Sequence, residues 1–346
     1  MVLALILLVL FLVSFLFNLG SFVSNLVRGG GGGYGGRAGE PRFDEVVLED
    51  NRASDKLAVI QVRGVISGDA IDGGGRSIVD LIKAQLKRAK EDTDVKAVIL
   101  KVDSPGGEVL ASDEIYRALA DFQKKQGKPV ITSMGSLAAS GGYYVSSPCR
   151  YIMANEMTIT GSIGVIMSSW NYRRLMDKVG VIPETYKSGQ FKDMLSGSRD
   201  PDKIPPEEQK MVQALIDETY GRFKDVVQQG RAWANQKNSA TSDKGRTLAD
   251  NWQSYADGRV LSGTEALKLG LVDELGNFDD AVTRAKSIAG ITGGAKVVEY
   301  QQRYELADLL HMFGKTDSKV VKLELGMDMP KLQAGQLYFL SPTFLH

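Results

Sequence analysis

The chain has 346 residues, with 42 basic and 42 acidic side chains, so its net charge of zero gives no indication of a nucleic-acid partner. One cysteine excludes an intramolecular disulfide, and two histidines argue against a zinc or iron centre, so we expect no cofactor. This length, with 43% hydrophobic residues, is sufficient for one large domain or two small ones.

The N-terminal segment is uncharged through residue 27, and the stretch from Val2 to Leu19 is almost entirely apolar. It reaches the roughly 20 residues that a helix needs to cross a bilayer. No basic segment precedes it and no A-x-A cleavage site follows, which disfavours the alternative of a cleaved signal peptide. We therefore predict a transmembrane anchor over residues 1–27, with the lipid bilayer as its partner.

The segment after the anchor, residues 28–55, is predicted to be a linker, because residues 29–36 read GGGGGYGG. A phosphate-binding loop is the alternative, but no strand precedes these glycines and no GK[ST] ends them. Arg28, Arg37 and Arg42 follow the anchor and no basic residue precedes it. Counting these charges places the body of the protein in the cytoplasm.

The body alternates apolar strands with amphipathic helices. Strands are predicted at 57–66, 95–102, 129–134 and 150–154, and helices at 77–92, 112–127 and from about Ala139. Such an alternation is typical of an α/β fold with a parallel sheet covered on both faces. A longer helix over 205–235, beginning at Pro206, has one apolar stripe that packs on the sheet or meets a partner subunit.

The segment DSPGGEV (103–109) directly follows a predicted strand. Its two glycines would let backbone N–H groups point into a crevice at the carboxyl end of that strand, where ligands of parallel sheets bind. Two such donors suit an oxyanion. The alternative is an ordinary turn, since Ser-Pro-Gly-Gly is also typical turn chemistry.

The segment GSLAASGGYY (135–144) surrounds Ser140 with small residues, so that a substrate backbone could approach it closely. A helix that begins near Ser140 would also favour a developing negative charge at its N-terminus. Ala138 breaks the G-x-S-x-G pattern of the α/β-hydrolases, so that motif does not apply. The alternative is a small-residue helix that packs tightly on a neighbour.

The segment YKSGQFKDMLSG (186–197) contains Lys187 and Lys192. A lysine amine acts as a general base only when it is neutral, which requires its pKa to fall roughly 2–4 units from about 10.4 through burial away from carboxylates. The neighbouring Asp193 opposes this unless its side chain points elsewhere. The alternative for either lysine is a solvated surface side chain.

Together with TGSIGV (160–165) and ADGRVLSGTEALKLGLVDELG (256–276), these motifs resemble the signal peptide peptidase A family of membrane-bound Ser–Lys proteases. The resemblance spans roughly residues 57–275. It implies a Clp protease/crotonase-like fold of repeated β-β-α units, with a peptidase domain over 56–295 that includes the long helix. Residues 296–346 would be a C-terminal extension.

The resemblance also implies the site. Ser140 corresponds to the family's nucleophile, Lys192 to its general base and Ser162 to the serine that orients the base. The amides of Gly106, Gly107 and Gly141 correspond to the oxyanion donors. The histidine count agrees with a lysine base, because the two histidines, His311 and His346, lie far from these motifs in the sequence.

The family members degrade cleaved signal peptides and other small unfolded or membrane-derived peptides. They work on the extracytoplasmic side of the bacterial plasma membrane, opposite to the side that the arginine count favours. This chain has one catalytic copy, which implies the half-length type that forms a homo-oligomeric ring, such as an octamer. In such a ring, the serine and the lysine of one active site come from different chains.

Three other functions compete with this interpretation. One is a tethered Ser–Lys peptidase of the same superfamily that serves membrane-protein quality control. Another is a non-catalytic ring scaffold in which Ser140 is a packing residue. The third is an acyl-CoA enzyme of the crotonase type, which fits poorly because it needs neither an anchor nor a lysine at position 192.

Overall fold

A computed structural model describes residues 41–70, 75–239, 241–302 and 337–340. The predicted anchor over 1–27 and the glycine-rich part of the linker lie outside these ranges and stay predictions. Within the ranges that are described, no helix is both long enough and apolar enough to cross a bilayer.

The strands, in chain order, are β1 (Phe43–Glu49), β2 (Lys56–Arg63), β3 (Val95–Ser104), β4 (Gly106–Glu108), β5 (Val130–Ala139), β6 (Tyr151–Ala154), β7 (Ile159–Gly161), β8 (Val260–Ser262), β9 (Glu274–Leu275), β10 (Lys296–Gln302) and β11 (Tyr338–Leu340). Nine of them form one sheet along the path β1-β10-β2-β3-β5-β6-β9, with β7 beside β5 and β8 beside β7. Most neighbours are parallel, whereas β1 and β8 are antiparallel to their partners. β4 and β11 form a separate antiparallel pair.

The helices are α1 (Ile78–Glu91), α2 (Val109–Gln126), α3 (Gly141–Ser146), α4 (Arg173–Lys178), α5 (Pro206–Asn238), α6 (Gly263–Lys268) and α7 (Phe278–Ile288). α1 begins with a capping box in which the Ser77 hydroxyl accepts from the Asp80 amide. α2 ends where Gly127 takes a φ of 68°, a left-handed conformation that glycine adopts without strain.

The sheet is buried on both faces. Along β2, Ala58 and Ile60 belong to the larger hydrophobic cluster, which α1, α2 and α3 cover. Leu57 and Val59 alternate with them and belong to the second cluster, which α7 covers. This arrangement explains why the strands appear in the sequence as continuous apolar runs, and it confirms the predicted α/β class.

The strand that leads to Ser140 is longer than predicted. It continues beyond Met134 to Ala139, because its second half pairs with β7 from Leu137 opposite Ile159 to Ala139 opposite Gly161. The predicted helix after it shrinks to the six residues of α3. Ser140 therefore lies at an abrupt junction between a strand and a short helix.

Two strands of the sheet lie outside the predicted peptidase domain of 56–295. β1, within the predicted linker, pairs with β10, and β10 in turn pairs with β2. The sheet therefore extends beyond the predicted boundaries at 55 and 295. β1 escaped notice because its charged side chains, which are common on edge strands, interrupt its apolar pattern.

The long helix α5 packs on the fold mainly through its C-terminal half, where Phe223, Val226 and Val227 are buried. A buried ion pair joins it to the sheet: the side chains of Arg231 and Asp273 are 1% and 0% exposed. In the N-terminal half, by contrast, Leu215 is exposed. The helix was predicted either to pack on the sheet or to meet a partner subunit. Its C-terminal half packs on the body of the protein.

Candidate active site

Ser140 has a strained backbone and a buried hydroxyl. Its φ of 53° and ψ of −117° are conformations that non-glycine residues rarely adopt. The Ser140 amide donates to the Gly161 carbonyl at 2.8 Å, and its carbonyl accepts from Tyr144 at 2.8 Å. The side chain is buried, yet among the described residues its Oγ has no hydrogen-bond partner. Strain together with an unsatisfied buried hydroxyl is typical of a functional residue.

Three glycines meet beside Ser140. A methyl group built on Gly106 would lie 2.6 Å from the Gly141 amide nitrogen, and one built on Gly141 would lie 3.1 Å from the Gly107 amide nitrogen. A methyl group on Gly107 would lie 1.9 Å from the Ile66 carbonyl oxygen. None of the three positions has room for a side chain, so glycine is required for this close approach of backbone segments.

One of the three glycine amides already has a hydrogen-bond partner. The Gly106 amide already donates to Ser104 Oγ at 3.1 Å. Gly106 also has a φ of 101°, which a residue with a side chain rarely adopts. Gly106 therefore allows the close approach of neighbouring backbone, and an oxyanion at this point would depend on the amides of Gly107 and Gly141.

Ser162 comes directly after β7, as Ser140 comes directly after β5. Because Ala139 and Gly161 are paired across these strands, the two serines leave the sheet at the same edge. Ser162 is buried and also has a positive φ, 50°, and its amide donates to the Arg259 carbonyl at 2.8 Å. The structure thus brings Ser162 to the junction that holds Ser140.

Lys192 does not share this junction. It is an exposed residue in a turn, where its amide donates to the Gly189 carbonyl at 3.2 Å. Since Ser140 Oγ lacks a hydrogen-bond partner among the described residues, the lysine amine of the same chain is not within hydrogen-bond distance of it. The predicted dyad is therefore not formed within this single chain.

The two candidate lysines have different surroundings. The Lys187 amine contacts Asp193 at 2.7 Å and the Gln190 carbonyl at 2.9 Å. The hydrogen bond from Lys187 lowers the pKa of Asp193 below its usual range. Arg199 also faces Asp193, at 3.4 Å. The carboxylate that could have held Lys192 as an ammonium ion is thus directed to two other cations.

The segment that carries Lys192 has no core of its own. We call residues 170–192 the lysine arm, and none of its side chains is buried. Two aromatic residues on it, Trp170 and Tyr186, are 85% and 92% exposed. Other large apolar side chains on the arm that are also exposed are Tyr172, Leu175, Val179, Val181 and Ile182. Apolar surface of this density is typical of an interaction surface.

Sequence reasoning missed the segment at 337–340. Its strand β11 lies directly on β4, with Phe339 opposite Gly107 and Leu340 opposite Gly106. The signal was four consecutive apolar residues, LYFL, within the predicted C-terminal extension, and a run of this length is too short to distinguish from any other short apolar run. Sequence reasoning also missed Ser112, which lies close to the site: a methyl group on Gly141 would lie 2.7 Å from its Oγ.

A family model, Peptidase family S49, matches residues 122–292. A protein of Synechocystis sp. (strain ATCC 27184 / PCC 6803 / Kazusa) named as a protease is 42% identical over 238 residues, which are 68% of this chain and 75% of the relative. A protein of Enterococcus faecium that carries the name signal peptide peptidase SppA is 37% identical over 270 residues, 76% of this chain and 72% of that one. The chain belongs to peptidase family S49, the family of signal peptide peptidase A.

As a family S49 member, the chain is a serine-type peptidase, which confirms the resemblance stated from its motifs. Among solved structures, the S97A mutant of the 1510-N membrane-bound stomatin-specific protease covers 72% of this chain, with 15% sequence identity and a TM-score of 0.40. At this level of similarity no residue role is transferred between the two chains.

Proposed function

We propose that this family S49 peptidase is a membrane-anchored Ser–Lys endopeptidase with a Clp protease/crotonase-like catalytic domain. Its substrates would be cleaved signal peptides and other small unfolded or membrane-derived peptides. The observation that carries the proposal is the unpartnered Ser140 hydroxyl in a strained backbone beside three side-chain-free glycines. The apolar segment over 1–27 and the name of the Enterococcus faecium relative support the membrane location and the substrate class.

In the proposed reaction, Ser140 Oγ attacks the carbonyl carbon of the substrate while the neutral Lys192 amine takes the hydroxyl proton. The carbonyl oxygen becomes an oxyanion, which accepts hydrogen bonds from the Gly107 and Gly141 amides. The C–N bond then breaks, and Lys192 returns the proton to the departing amine. Water attacks the acyl-serine ester by the same route in reverse, which releases the carboxylic acid and restores Ser140. Ser162 orients the base.

The position of the lysine arm supports a site shared between neighbouring chains. Among the described residues of one chain, no base contacts the Ser140 hydroxyl, while the arm presents Lys192 and several exposed aromatic and aliphatic side chains. Docking of the arm on a neighbour would bury this apolar surface and exclude water from the lysine amine. Burial favours the neutral amine, which is the form that general-base catalysis needs. The same proposal includes a homo-oligomeric ring of these chains, with the catalytic domains on the extracytoplasmic side of the membrane.

The test compares Lys192→Ala with Lys187→Ala in the full chain, assayed on an unfolded peptide. We expect Lys192→Ala to lose at least about a thousandfold in kcat, and Lys187→Ala to stay within about tenfold, because the Lys187 amine is directed to Asp193 and to the Gln190 carbonyl. A fluorophosphonate probe should label the wild type at Ser140 and leave Ser140→Ala unlabelled. Equal losses in the two lysine variants, or labelling elsewhere, would refute the assignment.

A further inference from the structure

Glu208 is a buried carboxylate in the first turn of the long helix α5. Its neighbour Glu207 is exposed, whereas the Glu208 side chain is only 4% exposed. One Glu208 oxygen accepts from the Leu195 amide at 3.2 Å, and the other contacts the Arg199 guanidinium at 2.6 Å. A buried charge requires such partners, and both of these lie in segment 193–199, which directly follows the lysine arm.

Arg199 connects Glu208 to the C-terminal end of the arm. Its guanidinium faces the Asp193 carboxylate at 3.4 Å and donates to the Asp193 backbone carbonyl at 3.3 Å. Asp193 in turn contacts the Lys187 amine at 2.7 Å. Two carboxylates and two cations thus form a continuous series of contacts from α5 to the arm, and their four charges cancel.

The N-terminal end of the arm is attached to the same segment. The Tyr172 amide donates to the Gly197 carbonyl at 2.8 Å. A methyl group on Gly197 would lie 2.1 Å from the Trp170 carbonyl oxygen, so this contact requires glycine. Both ends of the arm therefore meet on segment 193–199, and Glu208 attaches that segment to the long helix.

The turn that carries Lys192 has a strained residue at its end. Lys192 and Leu195 lie in one turn over residues 190–195, and Leu195 has a φ of 64°, which residues with a side chain rarely adopt. A strained conformation persists only where the surrounding contacts impose it, and the hydrogen bond from the Leu195 amide to Glu208 is such a contact. Without it, we expect the turn to relax and Lys192 to point in a different direction.

We propose that Glu208 is a positioning residue for Lys192. By fixing segment 193–199 on α5, it sets the direction in which the arm presents the lysine amine to Ser140 of a neighbouring chain. Glu208 acts through Arg199 and the Leu195 amide and takes no part in the proton transfer itself. The proposal rests on the proposed function, since it takes Lys192 as the general base.

The first test compares Glu208→Ala with Glu207→Ala in the full chain, assayed on an unfolded peptide. We expect Glu208→Ala to lower kcat at least about tenfold and to leave KM within about twofold, because a misdirected base slows proton transfer without changing peptide binding. Glu207→Ala is the matched control: it removes the same charge from the same helical turn, but from an exposed side chain, and should keep kcat within about twofold.

Glu208→Gln provides a second variant in case Glu208→Ala does not fold. The amide keeps the size of the side chain and an oxygen that can accept from the Leu195 amide, but it loses the charge that faces Arg199. We expect kcat to fall less than in Glu208→Ala and further than in Glu207→Ala, again with KM unchanged.

The second test places Glu208→Ala in one member of a mixed assembly. Ser140→Ala chains can supply only the lysine of a shared site, and Lys192→Ala chains can supply only the serine. Adding Glu208→Ala to the chain that supplies the lysine should remove at least about nine-tenths of the activity of the mixture. Adding it to the chain that supplies the serine should leave that activity within about twofold, whereas a general role in stability would reduce it from either chain.

Equal losses from the two placements, or equal kcat values in the Glu208 and Glu207 variants, would overturn the proposal. Failure of the proposed function gives a different result. If Lys192→Ala alone remains active, Lys192 is not the base. If the Ser140→Ala and Lys192→Ala chains do not complement each other before Glu208 is changed, the shared site is wrong, and the comparison of kcat between Glu208→Ala and Glu207→Ala still decides the role of Glu208.

Discussion

At the scale of single residues, Ser140 combines two features that reduce stability. Its φ of 53° strains the backbone, and its Oγ is buried without a hydrogen-bond partner among the described residues. Each feature typically costs about 1–3 kcal/mol. Residues that catalyse reactions often carry such costs, because the geometry that suits the reaction differs from the geometry that suits the fold.

We therefore predict that Ser140→Ala and Ser140→Gly abolish hydrolysis without lowering the free energy of unfolding. Ser140→Ala removes a buried polar atom, and Ser140→Gly also relieves the backbone strain, so the glycine variant should be the more stable of the two. Denaturant unfolding of the three proteins, monitored by circular dichroism, measures this order. A loss of more than about 1 kcal/mol in Ser140→Ala would mean that the hydroxyl has a partner that stabilises the fold.

At the scale of secondary-structure elements, the attachment of α5 depends on the Arg231–Asp273 ion pair. Both side chains are buried, and Asp273 also accepts from the amides of Ile152 and Arg246, each at 2.8 Å. One carboxylate thus connects β6, the long helix and the loop that follows it. Removing a single partner of such a pair leaves an uncompensated charge in the interior.

We predict that Arg231→Ala lowers the free energy of unfolding by about 3–5 kcal/mol. Lys125→Ala is the control, because its pairing with Asp121 is also helical but is exposed on both sides, and it should cost less than about 1 kcal/mol. Chemical denaturation of both variants gives the comparison. Similar losses of unfolding free energy in the two variants would show that the buried ion pair does not stabilise the packing of α5.

The second element-scale prediction concerns β11. β11 pairs with β4 beside the candidate oxyanion glycines, so under the proposed function it competes with a bound substrate. Displacing it should therefore lower KM and leave kcat unchanged. Phe339→Asp places a charge beside the rings of Tyr144 and Phe223, which Phe339 contacts, and should reduce KM at least severalfold. Val47→Asp, an equal change of charge on the edge strand β1, serves as the control. An unchanged KM with Phe339→Asp would show that substrates bind elsewhere.

Elements differed in how far they could be predicted from the sequence. Buried strands and amphipathic helices were recognisable, because burial on both faces of a sheet leaves a continuous apolar run, as at Leu57–Ile60. β1 and β11 were not, because an edge strand and a three-residue strand are determined by the partners they meet. Those partners are distant in sequence, as in the pairing of Phe43 with Gln302.

The features of the candidate site also differed in how far they could be predicted from the sequence. Motif order placed Ser140, Ser162 and the three glycines in one family pattern, and the sheet brings them to one edge. That the Gly106 amide is already engaged by Ser104 follows from a side-chain rotamer, which no motif encodes. The separation of Lys192 from Ser140 likewise depends on the path of an arm that has little contact with the core.

At the scale of the whole molecule, we predict that inactive variants complement each other. Neither Ser140→Ala nor Lys192→Ala should hydrolyse peptides alone. Co-expressed in equal amounts, they should recover activity, because about a quarter of neighbouring pairs in a random head-to-tail ring join an intact serine to an intact lysine. The assay follows size-exclusion chromatography that confirms assembly. Mixed rings as inactive as either parent would mean that the serine and the lysine come from one chain.

The exposed lysine arm has a further consequence, which concerns protein concentration. Where the base must come from a neighbour, the active species is an assembly, and its population follows the law of mass action. Hydrolysis per milligram of protein would then rise with total concentration and reach a plateau, whereas a self-sufficient chain would give a constant value. Confinement to a membrane surface concentrates chains in two dimensions, so a cell could regulate proteolysis through the density of the protein alone.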